Sequence, residues 1–280
     1  MSVLSITSSV AYGYVGNAAV VPCLQALGVE AWPVHTTYLS NHPGHPVWRG
    51  GAVDAARLEA VIAGLDALGV LGRVRAVLLG YLPNPAIAEA AVAALARLGA
   101  VNPGAMVVCD PVMGDAEKGL YVPAPVAAAI ADRLVPRADL ITPNHFELEH
   151  LTGHRIGDLA GALAALEAVR GGGIAVGTSL TIDDDAGTVK TMAIGEGGAF
   201  LVTTPRLDTP VHGTGDALTG LLLGRLLAGE SLAAALSHAV SSLHAVLEAT
   251  VAAGADEMAL VAARAAIPDP PCLFPAVAVG

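Results

Sequence analysis

Lysine is almost missing from this chain: among 280 residues only Lys118 and Lys190 are lysines. With 14 basic against 25 acidic side chains, the formal net charge is −11. Nucleic acid is a polyanion bound through a basic footprint, so that class of partner is set aside. The same scarcity says that a phosphate site here must rest on backbone amides, a metal ion or arginine. Cysteine is sparse too. Cys23, Cys109 and Cys272 stand far apart with no CxxC spacing, which fits a reducing compartment without disulfide or metal staples. No Lys or Arg precedes Arg49, so the charged region that opens a secretory signal is absent and a cytoplasmic location is expected. GxxxxGK[ST], GxGxxG and GxSxG are all missing, which disfavours P-loop enzymes, dinucleotide-binding dehydrogenases and α/β-hydrolases.

What the chain has in excess is apolar residues, 54% of the total, at a mean hydropathy of +0.62. The longest uncharged late stretch, SLAAALSHAVSSLHAVL between Glu230 and Glu248, carries four serines and two histidines. It reads as a buried helix rather than a membrane span. Short strand-like runs alternate with Ala-rich helical ones. Residues 3–7, 31–39, 76–80, 106–110, 139–143 and 173–178 are strand candidates, and TMAIG and AFLVTTP flank Glu196-Gly197-Gly198 as a hairpin. The last third reads as helical, ending in an irregular tail after about residue 268. Alternating β and α implies an α/β fold: a mostly parallel sheet with helices on both faces, in one domain over 1–280.

In such sheets ligands bind beyond the carboxyl ends of the strands. The segments that follow the strands are Ser8-Ser9, SNHPGH (40–45), GYLPN (80–84), DPVMGD (110–115), TPNHFELE (142–149) and TSLTIDDD (178–185). HPGH lacks a third metal ligand at useful spacing and reads as a surface loop, and Asp183-Asp184-Asp185 as a solvated one. The stretch VHGTGDALTG (211–220) puts two glycines and an aspartate where a helix begins. A plain turn with a first-turn acid explains it. So does an anion cradle of free helix amides with a base beside it. The residues alone leave both open. Taken with Asp110, Asp115 and Glu147, which can organise Mg²⁺, the chemistry that fits best is phosphoryl transfer.

The segments SSVAYGYVGN (8–17), WPVHTTYLSNH (32–42), GYL (80–82), CDPVMGDAEKGLYV (109–122), TPNHFELE (142–149) and GTGD (213–216) together resemble those of pyridoxal kinases in the ribokinase superfamily, in order from about residue 3 to 247. The resemblance implies a ribokinase-like three-layer fold and ATP-dependent phosphorylation of the 5′-hydroxyl of pyridoxal, with pyridoxine and pyridoxamine as further acceptors. It implies Asp216 as general base and Gly213, Thr214 and Gly215 as the anion hole. Ser8 and Tyr81 would contact the pyridine ring and close over it, with Val15 and His42 completing the substrate set. Asp110, Asp115, Thr142 and Glu147 would serve Mg²⁺ and a K⁺ ion. Tyr121, Asn144, Thr178 and Ser179 would line the ATP side with Asp110, Thr142 and Thr214. The span between the first strand and SNH is too short for the lid of the sugar-kinase branch, so no separate lid domain and a homodimer are expected.

The sequence departs from the family pattern at three places. Pro43-Gly44-His45 follows SNH where threonine and a polar or aromatic residue are common, Tyr14 replaces a common histidine, and His212 precedes GTGD where a small or apolar residue is usual. Two alternatives stand: a hydroxymethylpyrimidine kinase, which the loop departure keeps open, and a non-catalytic vitamin-binding relative, against which the intact GTGD argues.

Overall fold

The computed structural model describes residues 1–183 and 185–280. Of the acidic run 183–185, Asp184 lies outside the described residues. Asp185 accepts hydrogen bonds from the Gly187 N–H and the Thr188 hydroxyl and faces Lys190 Nζ at 3.6 Å.

In chain order the elements are β1 (Ser2–Val10), α1 (Asn17–Ala26), β2 (Glu30–Leu39), β3 (Gly50–Ala52), α2 (Ala55–Ala67), β4 (Val74–Leu79) and α3 (Pro85–Val101). Then come β5 (Met106–Cys109), β6 (Gly114–Asp115), β7 (Gly119–Leu120), α4 (Ala124–Ala129), β8 (Leu140–Ile141), α5 (His145–Thr152) and α6 (Leu159–Val169). The chain ends with β9 (Ile174–Leu180), β10 (Thr188–Gly195), β11 (Gly198–Pro205), α7 (Thr214–Leu227), α8 (Leu232–Ala253) and β12 (Val277–Val279). One sheet holds ten strands in the order β12-β11-β10-β9-β8-β5-β4-β1-β2-β3, and β6 pairs only with β7. From β2 across to β9 every pairing is parallel; β3, β10, β11 and β12 add antiparallel edges.

The run AVLL reads as continuously apolar because a parallel strand is buried on both faces. In β4, Ala76 and Leu78 enter the core beneath α1, α7 and α8, while Val77 and Leu79 enter the opposite core beneath α2 to α6. β5 and β8 split in the same way, Val108 and Leu140 to one side, Cys109 and Ile141 to the other. The result is helices, sheet, helices: the expected three layers. The segment between β1 and β2 is spent on α1 and its turns, and no second sheet rises from it.

One expectation is corrected, and one region is added. The tail is not irregular to its end. After α8 only a short 3₁₀ turn at Arg264–Ala266 remains helical, and the last residues join the sheet as β12, Ala199 facing Val279. Four prolines between 268 and 275 remove donors a helix would need, while the outer edge of β11 offers free ladder groups. The region 50–67, not singled out in the sequence, forms β3 and α2. Helix α8 is long and apolar enough to cross a membrane by composition, yet over half of that window is buried. Its serines anchor the tail: the Ser242 hydroxyl donates to Ile267 O at 2.7 Å, and Ser237 and Ser241 hold Phe274.

Candidate active site

Strand β1 has β4 on one side and β2 on the other, so the crossovers part there and leave a crevice at the carboxyl ends. A cavity of about 730 Å³ occupies it, within the range of small-molecule sites. Every candidate residue lines it. From the side of β1, β2 and β4 come Ser8, Val15, His42 and Tyr81. From the loops after β5, β8 and β9 come Asp110, Asp115, Tyr121, Thr142, Asn144, Glu147, Thr178 and Ser179. The start of α7 adds Gly213, Thr214, Gly215 and Asp216. Residues spread from 8 to 216 meet because a parallel sheet delivers all its strand ends to one rim.

The turn at α7 answers the question its sequence raised. Asp54, Asn84, Asn144, Asp158 and Ser231 cap α2, α3, α5, α6 and α8 with their side chains; no side chain caps α7. α1 and α4 lack a side-chain cap too, and α7 is the one of these three whose first turn lines the cavity, so its free amides face the space a ligand would take. Gly213 has φ 81°, and a Cβ there would lie 1.8 Å from Tyr14 O, so only glycine lets the turn press against the loop before α1. Asp216, in the first turn, does not fold back onto its own helix. Its carboxylate faces the backbone N–H of Gly16, the N-cap of α1, so two helix starts converge on one acid. Burial pushes Asp216 up to about 6 against the pull of that N–H. Asp110 is raised well above the carboxylate range by burial first, then by Asp216 and Glu147. Carboxyls gathered this closely hold on to protons until a cation joins them.

Glu147 has other duties. Asn144 and Glu147 form a reciprocal capping box at α5, each backbone N–H meeting the other's side chain at 2.9 Å. The second oxygen of Glu147 accepts the Met113 N–H at 2.9 Å and the Gly114 N–H at 3.5 Å. Burial still lifts it to about 7. Asn144 Nδ2 donates to Gly114 O at 2.9 Å, and Asp115 gathers the N–H groups of Glu117 and Lys118. The hydroxyls of Thr142 and Thr219 meet at 2.9 Å, with Asp110 Oδ2 3.5 Å from the latter. Thr178 N–H donates to Pro143 O, and Ser179 takes φ 50°. Tyr81 is set by Thr7, whose hydroxyl accepts its N–H at 3.0 Å, and by the Thr36 hydroxyl donating to its carbonyl at 2.8 Å. Tyr121 covers the rim, its phenol raised by burial and then by Glu147.

Among the described residues no group of three His, Cys, Asp or Glu could cage a metal ion unaided. That donor set fits an ion that keeps waters and arrives with phosphate oxygens, the habit of Mg²⁺. One exclusion made from composition fails. Among the described residues no arginine lines the cavity, but Lys118 does, carried in by the β6–β7 hairpin whose turn Asp115 ties down. HPGH is likewise more than a surface loop: His42 faces the cavity and His45 Nε2 meets Glu257 Oε1 at 2.7 Å. Trp48, Pro43 and His212 line the cavity as well. The oddness of 43–45 and of His212 was the only sign of the last two, and Trp48 left none.

The family model described as phosphomethylpyrimidine kinase matches residues 21–260. A pyridoxal kinase PdxY of Rubrobacter xylanophilus is 45% identical over 279 residues, covering 98% of this chain and 96% of that one. The chain belongs to this kinase family. Its place with the pyridoxal kinases of ribokinase-like fold, expected from the motifs, is borne out. Pyridoxal kinase from Leishmania donovani in complex with ADP superposes on the kinase at a TM-score of 0.91, 27% identical and covering 100% of this chain and 99% of that one. The same Leishmania protein with ADP and pyridoxine matches at 0.90, with 28% identity and the same coverage.

Proposed function

We propose that this kinase transfers the γ-phosphoryl group of ATP to the 5′-hydroxyl of pyridoxal, with pyridoxine and pyridoxamine as further acceptors. The observation that carries the reading is the uncapped start of α7 opening on the cavity beside the buried acid Asp216. Relatives named pyridoxal kinase, and related structures holding ADP with a vitamer, support the choice of substrates. In this reading the amides of Gly213, Thr214 and Gly215 hold the transferring group, where fixed dipoles stabilise developing charge. Asp216 takes the acceptor's proton. Ser8 and Val15 bound the flat ring, Tyr81 closes over it and His42 walls the mouth. Thr142, Thr178, Ser179, Asn144 and Tyr121 receive the nucleotide. Mg²⁺ borne by the phosphates would be met by Asp110, Asp115 and Glu147, directly or through water, and would neutralise phosphate charge; K⁺ would sit by Asp110 and Thr142. Lys118 supplies the cavity's one lysine cation. A homodimer in the cytoplasm completes the reading.

A second reading, a hydroxymethylpyrimidine kinase, draws on the description of the matching family model. One assay separates them: ATP consumption with Mg²⁺ and K⁺ in the presence of pyridoxal, of hydroxymethylpyrimidine, or of neither. Pyridoxal-dependent turnover is expected, reduced about 10²- to 10⁴-fold in Asp216→Asn. Turnover with the pyrimidine alone, or full activity in Asp216→Asn, would overturn the respective assignment.

A further inference from the structure

Pro43-Gly44-His45 and His212, two departures far apart in the chain, touch in the fold. The connection between β2 and β3, residues 40–49, is held together from within. Ser40 N–H donates to Arg49 O and Arg49 N–H to Ser40 Oγ, both at 2.8 Å, closing its base. The Asn41 carboxamide donates to Val47 O at 2.8 Å, and Gly44 N–H to His42 Nδ1 at 2.9 Å. These bonds make the loop a body but do not say where it sits over the cavity.

Contacts with other parts of the chain do. His45 is held by Glu257, in the segment after α8. The His42 ring lies on the His212 ring, centroids 4.0 Å apart and planes 26° from parallel. Gly44 fits against the same ring, since a Cβ on it would stand 2.6 Å from His212 Nε2. His212 is joined directly to Gly213, so whatever rests on its ring is referenced to the anion-binding turn.

We propose that His212 is a positioning residue whose ring docks the 40–49 loop onto the GTGD turn, setting the acceptor end of the cavity against its phosphoryl end. What matters is a flat ring at 212, so phenylalanine serves and valine does not. The consequence for catalysis rests on the function proposed above; the docking does not.

The test compares wild type, His212→Val, His212→Phe and Gly44→Ala by hydrogen exchange over residues 40–50 and by steady-state kinetics with pyridoxal and ATP. A lost ring stack should speed exchange of the loop and raise KM for pyridoxal roughly 3- to 10-fold in His212→Val. The KM for ATP and kcat should stay within about twofold, because the amides and the base are untouched. Gly44→Ala, which pushes the ring aside, should reproduce the change, and His212→Phe should reverse it. Unaltered loop exchange in both His212→Val and Gly44→Ala overturns the docking. Faster exchange with an unaltered KM for pyridoxal overturns the positioning role. Should wild type not turn over pyridoxal at all, the functional reading falls, and the exchange comparison still decides the docking.

Discussion

Asp216 is one acid with two environments. Burial makes it hold its proton up to about pH 6, and the amide of Gly16 draws it back toward ionisation. A general base acts only when deprotonated, so a raised value places the loss of activity at a higher pH than an ordinary aspartate would. At saturating ATP with Mg²⁺, where a cation would face Asp110 and Glu147 and keep them ionised, kcat/KM for pyridoxal should be flat above about 6 and fall about tenfold per pH unit below it. A pH–rate profile checks this; activity undiminished down to pH 4 would remove Asp216 from the base's role. His42 stays neutral over the same range because burial, with His212 and Lys118 nearby, pushes it down to about 4. The limb near 6 therefore does not belong to it.

At the scale of elements, the kinase separates helix starts closed by side chains from the open start that faces the cavity. The start of α5 is closed by Asn144 and Glu147, and Glu147 also clamps the 113–114 turn that leads into the β6–β7 hairpin. The open start is α7, where glycine stands in the cap position and no side chain competes for the amides. The two ends make different demands on substitution. In Glu147→Gln one oxygen becomes an NH₂ group that cannot accept, so one buried backbone N–H in this cluster loses its partner. The lost partner costs about 1–3 kcal/mol, but the substitution also removes a buried charge that burial lifts to about 7, so in urea unfolding with a chelator the variant's deficit should shrink as pH rises from 5 to 8. A Glu147 that served only a metal would leave metal-free stability unchanged.

For the whole molecule, the sheet is completed from both directions of the chain. Its parallel centre carries the site, and its far edge is finished by the last residues. Phe274 rests against His244, ring centroids 4.8 Å apart, with Ser237 and Ser241 bonded to its backbone. Truncation after Cys272 removes those contacts together with β12 and uncovers β11. It should cost about 2–4 kcal/mol of stability and raise self-association, measured by urea unfolding and light scattering. A truncated protein as stable and as monodisperse as the full chain would show that β12 neither stabilises the sheet nor shields its edge.

Much of this was legible in the sequence because it depends on local pattern. Apolar runs of four to six residues between Ala-rich helical stretches determined the parallel sheet, and the sheet's chirality rules put the loops after its strands on one rim. GTGD at a helix start determined an anion site or a plain turn, without choosing. The tertiary structure adds that α7 has no side-chain cap and that Asp216 turns toward Gly16 of another helix. It also decided what no local pattern can hold. Lys118 reaches the cavity because a two-strand hairpin carries it there. Val277–Val279 become a strand because β11 has an unpaired edge. His42 meets His212 because β2 ends and α7 begins at the same rim. Contacts between segments this far apart depend on where the sheet brings them, so they appear only when the chain is folded.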